Sequence, residues 1–443
     1  MKFVLLWSDA LFFLLFVAAI LSGLWARRVE HLRAGWRRVG QSRVAMAAAT
    51  LLVAFAAVAL LDSLHYRERL PGEGKNYAVE VRSALDALLA GLRTRTEKTY
   101  SAPLATHSFA KETIEGEGRD FPRLQHGGAH LGEDLARHDE DIALRTVQGL
   151  GIGLIAWLIL WLLGAPLRRA FSHLAWDGVF GTLLVLCLVA APVALLAQGY
   201  HVLGTDKVGQ DVLYLTLKSI RTGLLIGTLT TMIMLPAAIF LGIVAGYAGG
   251  WVDDVIQYLY TTLNSIPGVL LVAAAVLMMQ VVIDTHPDWF ATAASRADAR
   301  LLALCAILGM TSWTGLCRLL RGETLKLREL EYVQAARALG VSNLRILMRH
   351  ILPNVMHIVL IAIVMDFSGL VLAEAVLSYV GIGVDPNTIS FGTMINTARM
   401  ELAREPMVWW SLTSAFVFMF ALVLAANLFA DVVRDAFDPR MVR

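Results

Sequence analysis

Residues 329–354 read ELEYVQAARALGVSNLRILMRHILPN, a polar, basic, helix-like stretch between two apolar runs. Tyr332, Ala335, Ala336 and Leu339 recur at spacings of three and four, which predicts one apolar helix face. Gly340 is placed to end that helix in the left-handed conformation. Ser342 is then positioned to cap a second helix, and Pro353 to break it. Glu331 suits the positive end of the first helix dipole. The adjacent alanines make this helix thin, so its backbone can come close to a partner. A basic helix lying on anionic lipid would present a bulkier apolar face.

What surrounds the stretch sets its context. The 443-residue chain is 57% hydrophobic and 17% charged, with a mean hydropathy of +0.62. Soluble domains carry about 45–50% apolar and about 25% charged residues. The excess falls in runs near the ~20 residues that cross a bilayer. We expect an all-α, polytopic transmembrane bundle of about nine spans, near 3–25, 44–61, 147–164, 179–199, 219–246, 257–283, 301–317, 357–381 and 409–430. The net charge of +2 argues against a nucleic-acid partner. Cys187, Cys305 and Cys317 all lie in apolar runs, which suggests neither a disulfide framework nor a zinc cluster.

Arginine-rich short loops give the orientation. Six arginines separate the first two spans, and PLRRAFSH, residues 318–355 and the tail RDAFDPRMVR are basic too. With nine spans all of these fall on one face, so the amino terminus is expected outside and the carboxyl terminus in the cytoplasm. Asp9 and the arginines that follow favour a retained first span over a cleaved signal peptide. Residues 62–146 would then lie outside, with a short amphipathic helix near 78–93 and loop elsewhere. His126, His130 and His138 sit there among acidic residues, but the paired glycines of QHGGAH make a poor helix, and no metal site is expected. No Walker-type phosphate loop occurs in the sequence, so no nucleotide hydrolysis is expected of this chain.

Several stretches in a fixed order then converge. Glu331, Ala335-Ala336, Gly340 and Ile351-Leu352-Pro353 resemble the EAA loop of ABC-importer permeases. HVLGTDKVGQDVL (201–213), GIVAGYAGGWVDDV, LRGETLKLRELEYV, LAEAVLSYVGIGVDP and DVVRDAFDPR resemble the dipeptide/oligopeptide/nickel subfamily of binding-protein-dependent permeases. The likeness runs from about residue 180 to the end. Val202 and Gln210 stand where that subfamily usually has Pro and Arg, and 284–300 lengthens an external loop.

The resemblance implies a type I importer permease core working by alternating access. It further implies a second homologous permease subunit, two ATP-binding subunits carrying ATP and Mg, and an extracytoplasmic substrate-binding protein delivering peptides. Nickel or antimicrobial-peptide import, or a non-transporting assembly or signalling subunit, are the alternatives. Residues 329–340 would couple to the ATPase through Glu331, Tyr332, Ala335, Ala336, Gly340 and Pro353. Gly204, Thr205, Asp206, Gly209 and Asp211 would shape an external gate-side loop. The implied layout is an added region 1–170 with three spans, a first family-like span and gate-side loop at 171–216, a permease domain at 217–431 and a cytoplasmic tail at 432–443. The added region, matching no part of the family, is expected to be dispensable for the core pump but not necessarily for regulation or partner docking. Asp366 and Glu374 lie within the eighth span, where ionisable groups are functional by default. They either face the path or bind Lys218, Arg221 or backbone groups of a partner permease.

Overall fold

A computed structural model describes residues 2–26, 30–69, 77–114, 118–132, 134–290 and 292–437. Arg27, Arg28 and the tail beyond 437 lie outside the described residues. Among those described, nine helices are long and apolar enough to cross a membrane. They are α1 (Trp7–Ala26), α3 (Arg43–Ser63), α6 (His138–Leu163), α8 (Trp176–Leu196), α9 (Val212–Ala248), α11 (Gly268–Thr285), α12 (Ala293–Arg328), α15 (Leu352–Val380) with the turns that lead into it, and α17 (Trp410–Phe437). The shorter helices are α2 (Glu30–Gln41), α4 (Ala84–Leu88), α5 (Ala90–Thr94), α7 (Ala165–Ala170), α10 (Gly250–Ser265), α13 (Glu331–Ala338), α14 (Asn343–Ile346) and α16 (Phe391–Arg399).

Each expected span has a counterpart, with one break. Instead of one continuous helix over the expected span 257–283, α10 stops at Ser265, Ile266 is extended (φ −92°, ψ 131°), and α11 restarts after Pro267. Proline disfavours the helical conformation for the residue before it and has no N–H to continue the ladder. Pro236, by contrast, stays inside the 37-residue α9, as proline can in apolar surroundings where neighbours satisfy the freed carbonyl.

The chain forms two compact units. The first comprises Met1–Leu5, Ser22–Gly223 and Thr388–Val432. In it α8 packs on α6 and α3 through glycines. A Cβ on Gly149 would lie 2.4 Å from Pro192 Cα, one on Gly153 2.4 Å from the Cys187 carbonyl oxygen, and one on Gly178 2.3 Å from that of Arg43. Between helices in lipid, such small residues allow the close backbone approach that replaces hydrophobic driving force. Strand β1 (Lys2–Val4) pairs antiparallel with β2 (His65–Arg67), which pairs with β3 (Arg82–Ser83), so Lys2–Val4 lies against the start of the 62–146 region.

The described parts of that region are mostly irregular, as expected, yet several of their side chains are buried. Its helix is later and shorter, α4 and α5, started by a reciprocal cap between Ser83 and Asp86. Leu85, Tyr100, Ser101 and Leu124 are buried. Low apolar content misled the reading because polar contacts, described below, do much of the fastening.

The second unit comprises Leu6–Leu21, Leu224–Asn387 and Val433 onward. Its core joins Met234, Ala238 and Ile243 of α9 to Leu316, Cys317 and Leu320 of α12, and includes Val333, Ile346, Ile351 and Val355. Gly242 and Gly246 let α9 approach α12, where a Cβ would lie 2.7 Å from the Cys317 carbonyl oxygen and 2.6 Å from that of Arg321. The backbone N–H of Ser8 in α1 donates to Asp298 Oδ2 at 3.2 Å, fastening the first span to the start of α12.

Candidate functional site

The stretch 329–354 folds as two helical pieces about a turn. Helix α13 ends in a Schellman motif: Val341 N–H donates to the Ala336 carbonyl (3.1 Å) and Gly340 N–H to that of Arg337 (3.1 Å), with Gly340 at φ +76°. Ser342 holds the cap position of α14, yet its side chain makes no capping hydrogen bond. Pro353 does not break the helix as expected. It sits in the first turn of α15, after a widened π-type turn over Leu347–Ile351 that takes up the distortion.

The facing of α13 differs from the expected stripe by one residue. Val333 (2% exposed) and Ala336 (9%) pack inward, whereas Ala335 is exposed, Tyr332 is 44% exposed and Leu339 83%. Leu344 and Met348 are also exposed. The result is a helix anchored on one side with an apolar stripe on the other. Tyr332 is held by Asn354, whose Nδ2 donates to its hydroxyl at 3.0 Å. Beside α13 lies a cleft of about 860 Å³ lined by Val244, Tyr247, Arg328, Gln334, Arg337 and Asn343. In the same unit Arg321 grips Asp253 with two hydrogen bonds (2.5 and 2.7 Å), and this pairing holds the Asp253 carboxyl below the usual range. Sequence reading passed over that pair, whose members are separated by 68 positions.

The loop 201–211 is built equally tightly, within the first unit. Asp206 Oδ1 accepts from the N–H groups of Val208 (3.0 Å) and Gln210 (2.8 Å), and Asp211 Oδ1 accepts from that of Leu213 (2.9 Å) at the start of α9. Thr205 Oγ1 donates to the Thr99 carbonyl (2.9 Å), Ser101 N–H donates to Thr205 Oγ1 (2.6 Å), and Trp410 Nε1 donates to the Thr205 carbonyl (2.9 Å). Gly204 (φ +71°) and Gly209 (φ +76°) pass so close to the added segment that a Cβ would lie 2.5 Å from the Ser101 carbonyl oxygen and 1.8 Å from that of Glu97.

At the centre is His201, 2% exposed. Its Nδ1 is 2.7 Å from Asp211 Oδ2. Its Nε2 is 3.4 Å from Glu97 Oε1, an ion-pair distance without hydrogen-bond alignment. Burial alone would lower the imidazole pKa, but the two carboxylates outweigh it and raise it to about 9. Burial would raise that of Glu97, but His201 and the N–H groups of Gln125, His126 and Gly127 bring it down to about 2. His201 opens the stretch HVLGTDKVGQDVL, but nothing in the sequence pairs it with Glu97, 104 positions away.

The remaining candidates are dispersed. Glu374 is buried and accepts from Ser378 Oγ at 2.7 Å, while Asp366 is half-buried. Lys218 is engaged elsewhere, by Asp86 (2.7 Å) and Asp62 (3.4 Å), and Arg221 Nε donates to Ser63 Oγ at 3.1 Å. His130 pairs with Asp141 at 2.8 Å, and both His130 and His138 lie edge-on to Tyr200.

Known proteins resemble this chain over part of its length. Residues 238–443 match the family described as "Binding-protein-dependent transport system inner membrane component". An oligopeptide transport system permease protein of Mycobacterium bovis is 34% identical over 239 residues, covering 54% of this chain and 76% of that protein. A dipeptide transport system permease protein of Lactococcus lactis subsp. cremoris is 31% identical, covering 54% and 64%. A Haemophilus influenzae oligopeptide permease protein is 28% identical over 287 residues, covering 65% and 82%. With nine membrane-length apolar helices among the described residues and this likeness, the chain is a multi-pass inner-membrane protein and belongs to the family of binding-protein-dependent transport system inner membrane components.

Proposed function

We propose that this chain is the permease subunit of an ATP-driven importer that carries di- or oligopeptides inward by alternating access, with hydrolysis of Mg-ATP confined to separate ATPase subunits. A second permease subunit, two ATPase subunits and an extracytoplasmic binding protein would complete the assembly. The observation that carries the reading is the two-sided α13, with Val333 and Ala336 in the core and Tyr332, Ala335 and Leu339 facing out. A rigid knob whose contacts differ between two states of a partner can transmit motion; one with equal contacts in both cannot. The knob would seat in an ATPase cleft, which puts α13 in the cytoplasm. The amino terminus and the 62–146 region would then be outside, and the carboxyl terminus inside, in keeping with the arginine loops.

The test is reconstitution of the full chain with ATPase subunits, a partner permease and a binding protein in proteoliposomes. ATP-dependent uptake of labelled peptide is expected. Assembly without uptake of any peptide, in the presence of binding protein, contradicts the reading.

A further inference from the structure

We propose that the described parts of the added external segment, 95–114 and 118–128, form a fixed brace on the 201–211 loop, and that Glu97 is a positioning residue for transport, acting through His201. The proposal rests on the transport reading above, but its structural half can be tested separately.

Four backbone hydrogen bonds tie the segment to residues 199–209: Glu97 N–H to the Gly209 carbonyl (2.9 Å), Leu104 N–H to that of His201 (2.9 Å), Gly128 N–H to that of Gly199 (2.8 Å) and Thr205 N–H to that of Ser101 (3.1 Å). Phe109 meets Trp410, at the start of the last span, edge-on with ring centroids 4.8 Å apart. The brace is keyed by charge as well. Asp62, Asp86 and Glu97, all from the added region, face Lys218 and His201 at the entry to α9. The charged groups on His201 are Glu97 from the brace and Asp211 from the loop itself; Glu401 and Arg404 face Tyr100 instead. Because Glu97 also accepts three backbone N–H groups of the 125–127 turn, one buried carboxylate links the far end of the brace to the loop's histidine. The expectation that residues 1–170 are dispensable runs against this geometry, since their removal would strip His201 of one carboxylate and expose both glycine contacts.

The experiment compares the full chain with Glu97→Gln and the conservative Glu97→Asp, in the reconstituted complex. Peptide uptake and thermal unfolding are each followed from pH 5 to pH 10. In the parent both should decline together at alkaline pH as His201 loses its proton. In Glu97→Gln the alkaline midpoint of both should fall by at least about one pH unit, the size of shift a lost neighbouring charge produces, and Glu97→Asp should restore it. An unchanged midpoint in both profiles overturns the proposal. A shifted unfolding profile with an unshifted uptake profile overturns the positioning role. A parent complex with no uptake defeats the transport reading, while the unfolding profiles still decide the brace. Should Glu97→Gln not fold, hydrogen–deuterium exchange at the His201 ring carbon of the unmutated protein replaces it. A midpoint well above the ordinary 6.5 is expected, and one at 6.5 overturns the pairing.

Discussion

Gly209 and Gly340 share a backbone conformation, both at φ +76°, in opposite surroundings. A Cβ on Gly209 would strike the Glu97 carbonyl oxygen at 1.8 Å, whereas one on Gly340 would meet nothing within 4 Å. The first glycine is required by its neighbours, the second only by its own turn. The same contrast runs through the two loops that hold them. Loop 201–211 is closed upon an internal partner and fastened by polar groups. The α13 turn is anchored on one side and presents Tyr332, Leu339, Leu344 and Met348 on the other. A loop already filled by its own chain reads as frame, and a loop with an exposed apolar stripe reads as a docking element.

The largest expected effect follows directly. Gly209→Val combines a left-handed strain with a backbone clash that no rotamer relieves, so it should cost well over the ~1–3 kcal/mol typical of overpacking and prevent recovery of folded protein. Gly340→Val carries the strain alone, on the order of 1–2 kcal/mol. It should insert and fold with a modestly lowered melting temperature, while re-aiming α13 and weakening ATPase retention. Equal damage to folding from both would erase the contrast.

Next comes pH. The stabilisation from His201 is fully present below its ordinary 6.5 and is lost as pH rises through about 9. That from Glu97 is present above its ordinary 4.5 and is lost as pH falls through about 2. Both hold between about 4.5 and 6.5, so protection of the 201–211 amides from hydrogen exchange should peak there and fall off steadily toward pH 9. The smallest effect is Glu331→Ala, which removes a helix-start charge worth roughly 0.3–1 kcal/mol and should loosen ATPase binding only slightly.

The two regions also differ in how far the sequence revealed them. Apolar runs located the nine membrane-length helices among the described residues, one of them with a displaced start, because a bilayer demands length and hydropathy, both local properties. The α13 helix and its glycine stop were legible for the same reason, but its facing was not. Tyr332, Ala335 and Leu339 form one stripe of the helical period and Val333 with Ala336 form the adjacent one, and periodicity alone does not say which is buried. The brace was illegible because its fastening is carried by single polar contacts between positions about a hundred apart, such as Glu97 with His201 and Ser101 with Thr205. The complete break before Pro267 was not legible in the apolar run 257–283, because it depended on Ile266 adopting an extended conformation.

The most direct test of coupling through α13 sets Ala335→Trp against Ala336→Trp. The first adds bulk to the exposed stripe, the second to the packed face. The measurement is the amount of ATPase subunit retained on the purified permease, alongside its melting temperature. Ala335→Trp should melt like the parent yet lose its ATPase subunits and peptide-stimulated ATP turnover, whereas Ala336→Trp should itself be destabilised. If Ala335→Trp retains the ATPase and turns over at the parental rate, α13 is not the coupling element.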